Sequence, residues 1–337
     1  MTEVLEHSAS APSVGSEVLV ELQDLVVDYG SVRAVDNVSL KIRAGEIVGL
    51  AGESGCGKST TGNAIMQILR PPAQVTSGRV LFRGEDLIGK SKEELRQFRW
   101  RNVSMVFQSA MNALNPVMRV GNQFVDMMHA HEHIDRRTAL ARSGELLERV
   151  GIDRRRLSAY PHELSGGMRQ RVIIAMALAL SPEIVIMDEP TTALDVVVQR
   201  EILQEIEALK RDLGFAVLFI THDLSLLIEF ADRIGIMYAG EIVETSPARS
   251  LNEQALHPYT HGLLRSFPPL TGPLERMHGI PGSPPDLANP PTGCRFHPRC
   301  PLCVPGDAAL FARQTTERPL LREVAPGHRV ACHLVNR

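Results

Sequence analysis

The chain has 337 residues, 44% hydrophobic and 22% charged, with 36 Lys+Arg against 39 Asp+Glu for a formal net charge of −3. A single core stops growing at about 250–300 residues, so two folding units are expected. The near-neutral balance excludes a globally basic nucleic-acid binder, and no run reaches the ~20 apolar residues of a membrane span; the longest, Val172 to Leu180, is bounded by Arg171 and Ser181-Pro182.

Met1 to His7 carries acids where a secretory leader would carry bases, so a cytoplasmic location is expected. Ser8 to Ser16 is small and polar, and residues 1–16 read as a flexible tail. Tyr29 in Val27-Asp28-Tyr29-Gly30 reads by itself as core or turn packing. The apolar run Ile47-Val48-Gly49-Leu50 then predicts a buried strand, and Gly52-Glu53-Ser54-Gly55-Cys56-Gly57-Lys58-Ser59 fits G-x-x-x-x-G-K-[ST]. Gly52, Gly55 and Gly57 let the backbone curl so that N–H groups, including those of Ser54 and Cys56, turn toward phosphate oxygens at a helix N-terminus. Lys58 adds a point charge, Ser59 offers a hydroxyl to Mg²⁺, and Thr60 completes the candidate nucleoside-triphosphate site. Cys56 is a small filler there. Ile65, Met66, Ile68 and Leu69 continue the helix, which Pro71-Pro72 stops.

Val103 to Phe107 predicts another strand, with Gln108 at its end. Between Gln123 and Arg156 apolar residues recur at helical spacing, as in Leu146, Leu147 and Val150; His129, His131 and His133 read as polar helix positions, and Arg154-Arg155-Arg156 as a solvated run. Ser165 in Leu164-Ser165-Gly166-Gly167-Met168 is in isolation an ordinary helix N-cap. Ile184 to Met187 is a strictly apolar strand ending in two carboxylates, Asp188 and Glu189. Thr191 to Asp195 follows, and then a strand Val217 to Ile220 ending in Thr221-His222-Asp223. After Pro247 the composition turns toward Pro and Gly and periodicity fades, which predicts a small loop-rich extension over 251–337. Cys294, Cys300, Cys303 and Cys332 lie there in the spacing C-x5-C-x2-C-x28-C; these thiols suit a 4Fe-4S cluster or a structural Zn²⁺, or stay metal-free, and spacing does not separate the three.

Taken in order, these segments resemble the ATP-binding cassette (ABC) ATPases over about Val18 to Ser250. Leu164 to Met168 is similar to the LSGGQ-type signature, departing from it at Met168. The resemblance implies an α/β fold: a P-loop, RecA-like core with an antiparallel sheet and an inserted helical subdomain (about 109–180), within a cassette spanning 17–250. It implies ATP stacked on Tyr29, Mg²⁺ held through Ser59, Gln108 and Asp188, and catalysis by Glu189 on water with His222 and Gln108 orienting it. It also implies that Ser165, Gly166, Gly167 and Met168 close over the γ-phosphate of an opposing subunit, while Asp195 in the D-loop communicates across the dimer. Ala113-Leu114-Asn115-Pro116, His257-Pro258-Tyr259 and the cysteine set are similar to oligopeptide/dipeptide importer ATPases, in some of which the cysteines hold a 4Fe-4S cluster. The implied partners are a second ATPase subunit, paralogue or self, two membrane permease subunits and an extracytoplasmic substrate-binding protein, with the ATPase peripheral on the cytoplasmic face and no nucleic acid involved. Nickel or oligosaccharide cargo on the same architecture stays open, because cargo is chosen by other subunits. A soluble non-transport ABC protein is expected to show tandem cassettes or an inserted coiled coil, and neither is visible.

Overall fold

The computed structural model describes residues 15–108, 113–191, 194–266, 279–303 and 306–335. Two long strands, β1 (Val18–Tyr29) and β2 (Val32–Arg43), pair antiparallel and are joined by β4 (Ala73–Phe82) and the short β5 (Glu85–Asp86) in the order β2-β1-β4-β5. Alternating burial along β2 leaves one face for the core, as period-two patterning requires.

A second sheet holds the parallel strands β3 (Ile47–Ala51), β6 (Val103–Val106), β7 (Ile184–Asp188), β8 (Ala216–Thr221) and β9 (Arg233–Tyr238) in the order β9-β3-β8-β7-β6. Every residue of β3, β6, β7 and β8 is buried, which is why these strands read as mainly apolar runs with little alternation. One core cluster fills the space between this sheet and the antiparallel sheet, including Val48, Leu50, Ile186 and Leu218; the other covers the opposite face and runs into the helices.

The helix after β3, α1 (Lys58–Ile65), is shorter than the sequence suggests, because Gln67 turns left-handed at φ 51; Ile68 and Leu69 still pack on the core from the following loop. After α2 (Lys92–Phe98), with its Ser91–Glu94 capping box, come α3 (Val120–His129), α4 (Arg136–Arg149) and α5 (Gly166–Ala177). Of the three histidines read as helix positions only His129 is helical. Ala130 caps α3, and Asp135 N-caps α4 by accepting from Arg137 and Thr138, so His131 and His133 fall in the connection. Arg154–Ser158 forms a 3-10 turn with Arg155 exposed and paired with Asp153, as a solvated run should be. Next, α6 (Val196–Leu213) starts at the N-cap Asp195 and stops at Gly214, left-handed at φ 77.

The chain continues through α7 (Leu224–Phe230), β10 (Glu241–Pro247), α8 (Ala248–Gln254) and α9 (Pro258–Arg265) to α10 (Ala308–Thr316) and the hairpin β11 (Arg322–Ala325) and β12 (His328–Val330). The extension is more ordered than its composition suggests. Pro326-Gly327, with Gly327 at φ 72, turns the hairpin, and β12 pairs antiparallel with β10 (Glu244 opposite Val330), so the last strands extend the main sheet.

Candidate functional site

Parallel register brings the strand ends together: Ala51 of β3 lies opposite Thr221 of β8, and Asp188 of β7 opposite Ile220. The segments that follow, beginning at Gly52, Glu189 and His222, therefore emerge at one edge of the sheet, where open α/β folds bind ligands. The backbone demands glycine in the phosphate loop. At Gly52 a Cβ would lie 2.1 Å from the Met237 carbonyl oxygen, and at Gly57, left-handed at φ 104, 2.3 Å from that of Ala34. The Lys58 ammonium is nearly buried and donates to the carbonyls of Gly52 (2.7 Å) and Glu53 (3.0 Å), which fixes its charge over the loop.

Ser59 Oγ donates to Asp188 Oδ1 at 2.9 Å. Burial pushes the Asp188 carboxyl above the ordinary carboxylate range and the adjacent Glu189 pushes the same way, while the Ser59 hydrogen bond opposes them. A cation at Ser59 and Asp188 would reverse that balance, so the pair suits Mg²⁺. Gln108 Nε2 donates to Glu189 Oε2 at 2.9 Å, and His222 Nδ1 lies 3.4 Å from Glu189 Oε1. The three residues singled out for catalysis thus meet at one carboxylate. Glu189 itself is left-handed at φ 46, held by its N–H donating to Ile220. Tyr29 is partly exposed, with its hydroxyl 3.4 Å from Thr60 Oγ1, so an aromatic face adjoins the start of α1.

The remaining candidates gather elsewhere. Ser165 N-caps α5, accepting from Met168 N–H at 3.3 Å, and Gly166 and Gly167 form the first turn. These residues and Met168 line a cavity of about 450 Å³ with Asp195, and no phosphate-loop residue lines it. Of the D-loop segment, Thr192 and Ala193 lie outside the described residues.

Cys294, Cys300 and Cys332 line a small cavity with His257, Gln314 and His333. Burial pushes the Cys294 thiol up to about 12 and the Cys332 thiol to about 11, and Cys300 and Cys303 shift the same way. The His257 Nε2 and Gln314 Oε1 atoms are buried there with no hydrogen-bond partner. The donor chemistry suits a thiolate-bound metal, yet among the described residues no group of three or more His, Cys, Asp or Glu is spaced to hold one.

Two contacts to the phosphate loop escaped sequence reasoning. The Glu53 N–H donates to the hydroxyl of Tyr259, and the Glu53 carboxylate pairs with Arg299. With the partners 206 and 246 positions apart in the chain, no spacing signal could have found them.

Residues 35–192 match the ABC transporter family model, and residues 243–306 match that of the oligopeptide/dipeptide transporter C-terminal region. The chain is 45% identical to the oligopeptide transport ATP-binding protein OppD of Bacillus subtilis, over 82% of this chain and 80% of that one. It is 40% identical to OppD of Escherichia coli, over 94% and 93% of the two chains. It is 38% identical to the dipeptide transport ATP-binding protein DppD of Caldanaerobacter subterraneus, over 94% and 97%. Among solved structures, the bacterial ABC transporter cassette MJ0796, solved as a dimer, aligns with a TM-score of 0.61 at 30% identity, over 68% of this chain and 99% of that one. Among the described residues no helix is long and apolar enough to cross a membrane. The site geometry and this likeness along the length of the chain agree: it belongs to the ATP-binding cassette ATPases, as an ATP-hydrolysing transporter subunit carrying the oligopeptide/dipeptide transporter C-terminal region.

Proposed function

We propose that this chain energises the import of dipeptides or oligopeptides from the cytoplasmic face of the membrane, paired with a second ATPase subunit and coupled to two permease subunits and an extracytoplasmic binding protein. The cassette is assigned to residues 17–250, its helical subdomain to about 109–180, and the extension to 251–337. The observation that carries the reading is the separation of two half-sites within one chain. Lys58, Ser59, Asp188 and Glu189 gather at the sheet edge, while Ser165, Gly166, Gly167 and Asp195 line a cavity of their own. Each half completes the other across a dimer, in keeping with the dimeric cassette it resembles. The names of the relatives support the peptide cargo.

In this reading Lys58 and the loop N–H groups bind the phosphates of ATP, and Tyr29 stacks on the base. Ser59, Asp188 and Gln108 would hold Mg²⁺, which when bound neutralises charge on the transferring phosphoryl group. Glu189 polarises the attacking water, with Gln108 and His222 fixing its carboxylate. The Ser165 hydroxyl and the N–H groups of Gly166 and Gly167, at the N-terminus of α5, close on the γ-phosphate held by the partner. ATP thereby joins the two subunits and hydrolysis releases them, which moves the permeases. Cys294, Cys300, Cys303 and Cys332 are the ligand set we assign to a 4Fe-4S cluster, with Zn²⁺ as the alternative occupant, stapling the extension.

The test is ATP-driven uptake of labelled di- and oligopeptides by vesicles holding the complete transporter, alongside iron, sulfide and zinc analysis of anaerobically purified protein. Peptide uptake supports the cargo assignment. Uptake of nickel or an oligosaccharide in its place would move the same machine to another substrate class. About four irons per chain supports the cluster, one zinc the alternative, and neither would remove the staple.

A further inference from the structure

We propose that the C-terminal extension is a working part of the nucleotide site, in which Tyr259 and Arg299 act as positioning residues that set the phosphate loop through Glu53. The proposal rests on reading Gly52 to Ser59 as the ATP site.

Glu53 is gripped twice. Its N–H donates to the Tyr259 hydroxyl at 2.8 Å, and its carboxylate takes both arms of the Arg299 fork, at 2.6 and 2.9 Å. A bidentate pair of this kind fixes orientation as well as distance. Both partners are themselves held. Arg299 is almost fully buried, donates from Nε to the Pro281 carbonyl at 2.8 Å and lies 5.8 Å over the Tyr238 ring. Tyr259 is fully buried, with ring centroids 4.6 Å from Tyr238 and 5.4 Å from Phe296, so its hydroxyl cannot swing away.

The grip continues to the phosphate-loop lysine, because the carbonyl of the same Glu53 accepts from Lys58 Nζ at 3.0 Å. Extension, Glu53 and Lys58 form one mechanical series in a loop whose Gly55 and Gly57, both at positive φ, otherwise leave the backbone free. Holding the loop in its curl before ATP arrives lowers the ordering cost of binding, so releasing the grip should weaken affinity and leave the chemical step alone.

The test compares the full chain with Tyr259→Phe, which keeps the ring and removes only the hydroxyl, and with Arg299→Ala. Mg-ATP affinity is measured on the full chain, and KM and kcat on the assembled transporter. Each variant should raise Kd and KM about 5- to 20-fold with kcat nearly unchanged. Adding Glu53→Ala to Arg299→Ala should change Kd little further, since the two residues act as one unit. If Arg299→Ala does not fold, Tyr259→Phe decides. Unaltered Kd and KM beside a lowered melting temperature would make the contacts purely structural and overturn the proposal. Lys58→Ala separates the two failures. If it leaves ATP affinity intact, the loop assignment falls. If it abolishes binding while the two extension variants bind normally, only the grip falls.

Discussion

Glu189 occupies a left-handed conformation that costs a non-glycine residue about 1–3 kcal/mol, and it does so with Gln108 and His222 on its two carboxylate oxygens. Strain retained at the meeting point of three polar side chains fits a carboxylate whose direction matters more than its stability. Glu189→Gln keeps the shape and removes the charge. It should lower kcat about 10²- to 10⁴-fold while ATP still binds; steady-state hydrolysis near the unsubstituted level would take Glu189 out of the reaction. His257 makes a different prediction. Burial drives its imidazole down to about 3 from 6.5, and Nδ1 accepts from Tyr259 N–H, so the folded protein keeps it neutral with the proton on Nε2. The unfolded chain takes up a proton near pH 6.5 and the folded one does not until about 3. Stability from this group is therefore complete above pH 6.5 and falls as the pH drops below it, with a slope of up to about 1.4 kcal/mol per pH unit. Urea midpoints for the parent and His257→Gln, compared at pH 7.5 and 5.5, should show a smaller acid loss in the variant. Equal losses would count against a neutral buried His257.

At the scale of elements, the parallel strands were legible because burial on both faces leaves no polar position to blur the run, as in Ile184 to Met187. The residues proposed for catalysis were picked out by the resemblance, and Gln108, Glu189 and His222 each lie at or just beyond the end of such a strand. The end of α1 was not. Nothing in Gln67 announces a left-handed residue, and the apolar Ile68 and Leu69 serve the core equally well from a loop. The terminal hairpin was hidden too, because Arg322 to Ala325 and His328 to Val330 are too short and too polar to carry a period. What makes β12 a strand is its partner. Glu244 in β10 is fully buried; it accepts from the backbone of Leu256 and His257 at the start of α9 and lies 2.8 Å from His328 Nε2 in β12. One carboxylate thus ties three elements together. His328→Ala should cost about 1–3 kcal/mol by leaving Glu244 short of a donor, read as a lower denaturant midpoint at unchanged slope. An unmoved midpoint would mean that the hairpin is held by its backbone ladder alone.

Over the whole molecule, the extension also supplies the counter-charges of the cassette. Asp36 in β2 and Glu241 in β10 are buried, and Arg295 and Arg318 bridge them. Arg295 Nε is 2.9 Å from Glu241, Arg318 Nε is 3.0 Å from Glu241, and Arg318 Nη1 is 3.1 Å from Asp36. Burial raises the Glu241 carboxyl and the two guanidinium groups pull it back, so their removal would leave an uncompensated charge. Arg295→Ala should destabilise the fold by about 3–5 kcal/mol in chemical denaturation. Arg155→Ala, whose side chain is 87% exposed and pairs with Asp153 at the surface, should change it by no more than about 1 kcal/mol. Similar losses for the two would show that the buried cluster carries no special weight.

The same cluster sets an order of events on the ribosome. Asp36 emerges among the first residues made with Arg33 beside it, yet its other two arginines belong to the last part of the chain, as does the strand that seals β10. At about 5–20 residues per second, the nascent cassette must wait on the order of 10 s for them after β10 has left the exit tunnel. For that interval it carries Glu241 without its two arginines, Asp36 with Arg33 alone, and an open sheet edge. A stalled or prematurely ended message would therefore release a nearly complete ATPase that chaperones and proteases can tell apart from the finished one.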